Sequence, residues 1–268
     1  LVPMAAAVLA YFDSRFPRDA DGRLRITPTQ AVETYWQGVE DDMPSVAGLH
    51  DVLDRLLALP DELVGREQRE QWRKLAHSLP PIPTREVDGA LMLAPARRYL
   101  DQRSNIETPE LYAVFPFRLY GLGREGLDVA RAAYERRVDK ATQGWTQDGE
   151  FAALLGLEEE AKQNLLAKVR NTNPRHRFPV MWGPNFDWLP DQDHGSNLLE
   201  VAQCMLLQPV GEKLYVLPCW PKQWNVAFRL HAPRDTVIEG EWRDGAMRKL
   251  VVTPPERRAD VVVGPPRP

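Results

Sequence analysis

Residues 193–208 read DHGSNLLEVAQCMLLQ and residues 213–224 read KLYVLPCWPKQW, and the pattern of apolar residues changes between them. The first stretch has a polar start followed by an apolar, helix-like run, LLEVAQCMLLQ. After Gln208 the period becomes two. KLYVLPCW, WNVAFRLHA, TVIEGEW and MRKLVVTPP all read as strands, with Val226, Phe228 and Leu230 alternating against Ala227 and Arg229. Arg243-Asp244-Gly245 supplies an Asp-Gly hairpin turn between the last two. The closing PPERRADVVVGPPRP is proline-rich and reads as a frayed end.

Upstream of Gln208 the signal is helical. HDVLDRLLALP puts Val52, Leu53, Leu56 and Leu57 on one stripe, and Pro60 ends it. REGLDVARAAYERRV places Leu127, Ala130, Tyr134 and Val138 at steps of three and four. EFAALLGLEEEAKQNLLAKV reads as two helices broken near Gly156, the second burying Leu157, Ala161, Leu165 and Val169. Long stretches rich in Pro, Asp and Asn lie between these segments, at 17–31, 80–108 and 172–195, and loops of that length in a compact domain tend to be functional. Consecutive antiparallel helices with long loops on one side suggest an α/α toroid or a helical array, and no fixed repeat supports a solenoid. The opening LVPMAAAVLAYFDSRF is apolar and helix-like without a positive leader or a cleavage site, so the chain is expected to start inside a helix of a longer protein.

Composition narrows the function classes. The chain has 268 residues, enough to bury a sizeable core, with 43% hydrophobic and 27% charged residues. A net charge of -4 leaves no basic footprint for nucleic acid, and no apolar run reaches the length of a membrane span. Cys204 and Cys219 form no CxxC pair and read as small buried groups.

Just before the helix-like run, residues 186–197 read FDWLPDQDHGSN, gathering Asp187, Asp191, Asp193 and His194 beside Trp188. A metal loop, a catalytic carboxylate and a plain helix cap are the three candidates. Counting an EF-hand loop from Asp191 puts Gly195 at position five, Ser196 at six and Ala202 at twelve, so two required ligands are missing. His50, His77, His176, His194 and His231 are scattered without zinc-ligand spacing, and there is no phosphate loop or nucleophile elbow. No metal and no cofactor is therefore expected. Arg175, His176 and Arg177 form the one local basic cluster, which reads as a solvated loop.

Carboxylates remain. Cleaving a glycosidic bond takes two of them on opposite sides of the bond, and they can come from distant positions. Acids at helix starts are kept ionised by the helix dipole, and aromatic faces can stack on sugars. Four segments combine both: TPTQAVETYWQ with Glu33, NIETPELYAVFPF with Glu107 and Glu110, GWTQDGEF with Asp148 and Glu150, and FDWLPDQDHGSN. Taken singly, each acid also fits a solvated helix cap.

The segment DHGSNLLEVAQCMLLQ followed by KLYVLPCWPKQW resembles the C-terminal catalytic stretch of glycoside hydrolase family 95 and related α/α-toroid glycosidases. That family carries Q-I-D-G-N-F-G-G, a helix ending in M-L-L-Q, then a strand leading to L-L-P-A-L-P-K-x-W. Counted back from Met205, its catalytic Asp falls on Asp193. GWTQDGEFAALLGL resembles the family's G-W-S helix, and ELYAVFP, from Glu110 to Pro116, resembles its H-L-Y-G-L-Y-P. The family's P-S-T-S-P-E-N, whose Glu is the general acid, aligns with PTQAVET and lands on Glu33 through the Pro and the Glu alone. The resemblance is collinear over roughly residues 1–250.

It implies a mainly α fold, with residues 1–208 as the C-terminal portion of an (α/α)6 toroid and 209–268 as a small antiparallel, β-sandwich-like domain. It implies inverting hydrolysis of a carbohydrate by a glycosidase, with Glu33 as general acid and Asp193 as general base, and no partner among nucleic acids or membranes. Burial against Tyr35 and Trp36 would raise the acid's pKa, and the two carboxylates would stand ~6.5–9.5 Å apart to admit water. Glu107, Glu110, Trp145, Asp148, Trp188, Asp191 and His194 would line the sugar subsites. The substrate class favours a periplasmic or extracellular location.

Departures from the family pattern matter. Where the family has H-R-H-x-S-H, this chain runs Asn105, Ile106, Glu107, Thr108, Pro109, Glu110, and His194-Gly195 replaces the Gly-Asn after the catalytic Asp. The sugar is then expected to differ from the family's fucose or galactose. The family's water-holding Asn-x-Asn lies in an earlier half with no counterpart here, so hydrolysis is expected to need residues beyond this chain. The alternatives are a glycan-binding protein without turnover and a phosphorylase or lyase on the same scaffold.

Overall fold

The computed structural model of the chain describes residues 1–140, 145–170 and 193–266, and the side chains of 193 and 194 fall outside that description. The chain divides into two compact units, one of residues 1–119 and 128–139, the other of 120–127 and 140–268.

In the first unit α1 (Val2–Arg15) is followed by β1 (Thr29–Ala31), β2 (Tyr35–Asp42), α2 (Met43–Leu57) and α3 (Arg66–Ser78). A hairpin of β3 (Thr84–Val87) and β4 (Ala90–Leu93), then β5 (Ala96–Arg98) and α4 (Leu127–Arg136), complete it. β2 lies between β1 and β5, antiparallel to both. The apolar stripe of α2 behaves as its spacing predicts: Leu53 and Leu56 are buried in a core with Leu9, Val46, Leu49, Trp72 and Leu75, and Val52 and Leu57 pack at its edge. Asp42 caps α2 by accepting the Ser45 N–H at 2.9 Å, and its other oxygen accepts the Thr29 hydroxyl at 2.7 Å. One carboxylate thus joins the start of α2 to β1. In α4 Ala130 and Tyr134 are buried as expected, but the helix stops at Arg136 and Val138 is exposed.

The second unit begins with α5 (Asp148–Leu154) and α6 (Glu158–Arg170). The break near Gly156 is a Schellman cap: Gly156 has φ +71°, its N–H reaches the Ala153 carbonyl, and the Leu157 N–H reaches that of Ala152. The helix α7 (Asp193–Leu206) runs without a loop into β6 (Leu207–Val210), which pairs with β7 (Lys213–Val216). The period-two segments that follow form a meander of β8 (Val226–Ala232), β9 (Thr236–Arg243) and β10 (Ala246–Thr253). Asp244 and Gly245 both adopt positive φ between β9 and β10, which suits a type I′ turn to the twist of the strands. The expected frayed end instead carries β11 (Val261–Val263), three β-branched residues in parallel register with β7.

The mainly α, toroidal expectation is overturned. Among the described residues the fold is mixed α/β, with four small sheets, two of them inside the stretch 1–208 assigned to helices. The stretches 17–31 and 80–108, expected to be loops, contain β1, β3, β4 and β5. These strands are three or four residues long, and β2 has a burial pattern without clean alternation, so neither period stands out.

Candidate functional site

The residues that converge in the first unit come from the β1–β2 turn and from the segment just before a 3₁₀ turn at Pro109–Leu111. The turn Val32-Glu33-Thr34 closes the Ala31↔Tyr35 pair, and Val32 adopts φ +45°. A β-branched residue pays a steric penalty there of about 1–3 kcal/mol, held in place by its surroundings.

Those surroundings are a zip of hydrogen bonds. The Ser104 N–H donates to the Thr34 carbonyl at 2.9 Å, and the Thr34 hydroxyl lies 3.2 Å from both the carbonyl and Oε2 of Glu107. The Glu33 N–H donates to Glu107 Oε2 at 2.7 Å. In return, Asn105 Nδ2 donates to Glu33 Oε2 at 3.0 Å, while Asn105 Oδ1 accepts the Ile106 N–H at 2.8 Å. The second contact fixes which way the Asn105 amide faces. Glu33 Oε1 has no hydrogen bond among the described residues, and the side chain is exposed.

Exposure of Glu33 departs from the burial expected of the acid. Tyr35 is buried, but Trp36 is 58% exposed. It is Glu107 that is half-buried, and burial raises its pKa, opposed by the hydrogen bonds from Glu33 and Thr34 and reinforced by the Glu33 charge. Glu110 points inward and is 3% exposed; burial raises its pKa, the Arg103 and Arg85 charges oppose the rise, and Oε2 has no hydrogen-bond partner among the described residues.

In the second unit a different set of charges is enclosed by α5, α6 and α7. Asp148, Glu150 and Lys168 are 2%, 0% and 1% exposed. Lys168 Nζ donates to the Thr146 carbonyl at 2.6 Å. Among the described residues neither carboxyl oxygen of Glu150 has a hydrogen-bond partner, and burial pushes this group up to about 7, with the Lys168 charge pulling the other way and Glu200 and Asp148 adding to the rise. Burial likewise lowers the pKa of Lys168, while Glu150 and Asp148 favour its charged form. Trp145 is half-buried ahead of α5.

Glu33 and Glu107, expected in one site, are brought together. Asp148 lies in the enclosed cluster of the other unit. Asp193 opens α7, but its side chain and that of His194 lie outside the described residues, as do Trp188 and Asp191 altogether. Residues not singled out from sequence include Thr34, Arg103, Asn105 as a donor, and Lys168. Lys168 had a signal: it continues the stripe of Ala161 and Leu165, and it is buried where Val169 was expected and is instead 39% exposed.

Among the described residues no group of three His, Cys, Asp or Glu side chains is placed to hold a metal ion, and no helix is long and apolar enough to cross a membrane. No protein-family model matches the chain, and a search of curated proteins returns no match.

Proposed function

We propose that the chain carries glycoside-hydrolase chemistry, an inverting cleavage in which Glu33 protonates the leaving oxygen. The observation that carries the proposal is the fixed orientation of Glu33. Asn105 holds Oε2 at 3.0 Å and Glu107 holds the backbone of the same residue, so Oε1 is presented to solvent from a strained turn. A proton donor to a glycosidic oxygen needs one such accessible carboxyl oxygen at a defined position. Asn105 and Glu107 supply that definition from a segment more than seventy residues away. The role of Glu33 comes from the resemblance in sequence to glycoside hydrolases.

The test is hydrolysis of a panel of aryl glycosides by the intact protein, with the first-formed sugar followed by NMR. Inversion at the anomeric carbon is expected, with turnover reduced by about 10²-fold or more in Glu33→Gln while the variant stays folded. Full activity in Glu33→Gln removes that residue from the mechanism.

A second reading, glycan binding without turnover, is favoured by the exposure of Trp36 beside the Glu33 turn, since an open indole face is suited to stacking on a sugar ring. Calorimetric binding of an oligosaccharide that the protein does not hydrolyse, lost in Trp36→Ala, would select it.

A further inference from the structure

Arg103 has no part in the chemistry proposed above, yet it touches every segment that builds the Glu33–Glu107 arrangement. Its Nη1 donates to the Tyr35 hydroxyl at 2.9 Å, at the start of β2. Its Nη2 donates to the Glu107 carbonyl at 3.1 Å and reaches the Asn105 carbonyl at 3.4 Å. The same nitrogen is paired with Asp139, just beyond α4. The guanidinium also lies over the Tyr35 ring, 5.4 Å from its centroid. The side chain is 18% exposed, so these contacts are largely shielded from water.

We propose that Arg103 is the positioning residue of this site, clamping the 105–107 segment to β2 so that the Asn105 amide meets the Glu33 carboxylate and the Glu107 carboxylate meets the Glu33 N–H. The planar guanidinium is what makes this geometry available. It presents several N–H groups in one rigid fork and stacks on an aromatic face, whereas a lysine ammonium offers a single point of charge on a flexible stem. Asp139 pairs with the same Nη2 that serves the Glu107 and Asn105 carbonyls, holding that arm of the fork in place. Only the consequence for turnover rests on the glycosidase reading; the clamp is a property of the first unit by itself.

The clamp can be read without any substrate. Arg103→Lys keeps the positive charge, while the Glu107 carboxyl titrates according to its half-burial, its hydrogen bonds to Glu33 and Thr34 and the Glu33 charge. A shift of Glu107 in an Arg103 variant therefore reports movement of the segment. The experiment is ¹³C-carboxyl NMR titration of Glu107, assigned with Glu107→Gln, in the full chain and in Arg103→Lys and Asp139→Asn. Thermal unfolding is followed alongside, together with kcat and KM on an aryl glycoside that the wild type turns over.

In Arg103→Lys the Glu107 midpoint is expected to fall towards the ordinary glutamate range in a protein that still unfolds in one transition. In Asp139→Asn it should move the same way by less. Where the wild type hydrolyses a glycoside, kcat in Arg103→Lys should drop on the order of 10–100-fold with KM nearly unchanged, the signature of misplaced catalytic groups. An unchanged Glu107 midpoint in folded Arg103→Lys overturns the proposal. If that variant does not fold, an unchanged midpoint in Asp139→Asn overturns it instead. A shifted midpoint in a protein that hydrolyses no glycoside leaves the clamp standing and removes the glycosidase reading.

Discussion

The backbone N–H of Glu33 donates to Oε2 of Glu107 at 2.7 Å, joining two residues 74 positions apart. The bond is one half of an exchange, because the neighbour Asn105 gives its amide to the Glu33 carboxylate. Each segment therefore holds the other at the residue that carries its acid.

Removing the Asn105 amide should loosen Glu33 without disturbing the fold. Asn105 is only partly buried, and Glu107 continues to hold the Glu33 backbone. In Asn105→Ala, kcat on an aryl glycoside is expected to fall roughly tenfold, KM to stay within about twofold, and the thermal midpoint to remain near that of wild type. A rise in KM at constant kcat would mean that the amide binds substrate and does not orient the acid.

Stability should fall with rising pH because of Glu150. Its ordinary value is 4.5 and the fold raises it to about 7, so the native state favours the protonated acid. That contribution is fully present below the unfolded value and is lost as pH rises through about 7. Lys168 moderates the change, since its charge favours the ionised carboxyl. Urea unfolding of the wild type should lose on the order of 2–3 kcal/mol between pH 5 and pH 8 from this group, and Glu150→Gln should lose much less. Parallel pH profiles for the two proteins would contradict the assignment.

Packing of α5 on α7 leaves no room for a methyl at Gly149. A Cβ there would lie 2.6 Å from one methyl of Val201 and 3.1 Å from the other, and Val201 is fully buried. Alanine would gain up to about 1 kcal/mol of helix propensity, while overpacking costs about 1–3 kcal/mol. Gly149→Ala is thus expected to lower stability in urea titration. The same change in a Val201→Ala background should be neutral or stabilising, because the new methyl fills the space vacated. Equal costs in both backgrounds would separate Gly149 from Val201.

Where the sequence was most legible, one period dominated a long segment. The stripe of α2, the Gly156 break and the Asp244-Gly245 turn could all be read because each rests on local backbone preference. The sheets of the first unit could not. β1, β3, β4 and β5 are too short for a period, and β2 earns its place through pairing with partners far off in sequence. The same limit applied to the site. Glu33 and Glu107 stood out as acids in aromatic segments, but the exchange through Asn105 and the fork of Arg103 exist only once β2 and residues 103–107 lie side by side. Aromatics that adjoin Glu33 in sequence suggest burial, but along a strand successive side chains face opposite ways, and Tyr35 goes in while Trp36 goes out.

The most direct test of the central claim, that Glu33 is the proton donor to a glycosidic oxygen, is the dependence of hydrolysis on the leaving group in Glu33→Gln. A phenol acidic enough to depart unprotonated does not need the acid, whereas an alkyl or sugar alcohol does. The variant should retain much of the wild-type rate on a dinitrophenyl glycoside and lose about 10²–10⁴-fold on the corresponding alkyl glycoside or disaccharide. Equal losses across the series, or none, would contradict the assignment of Glu33 as the acid.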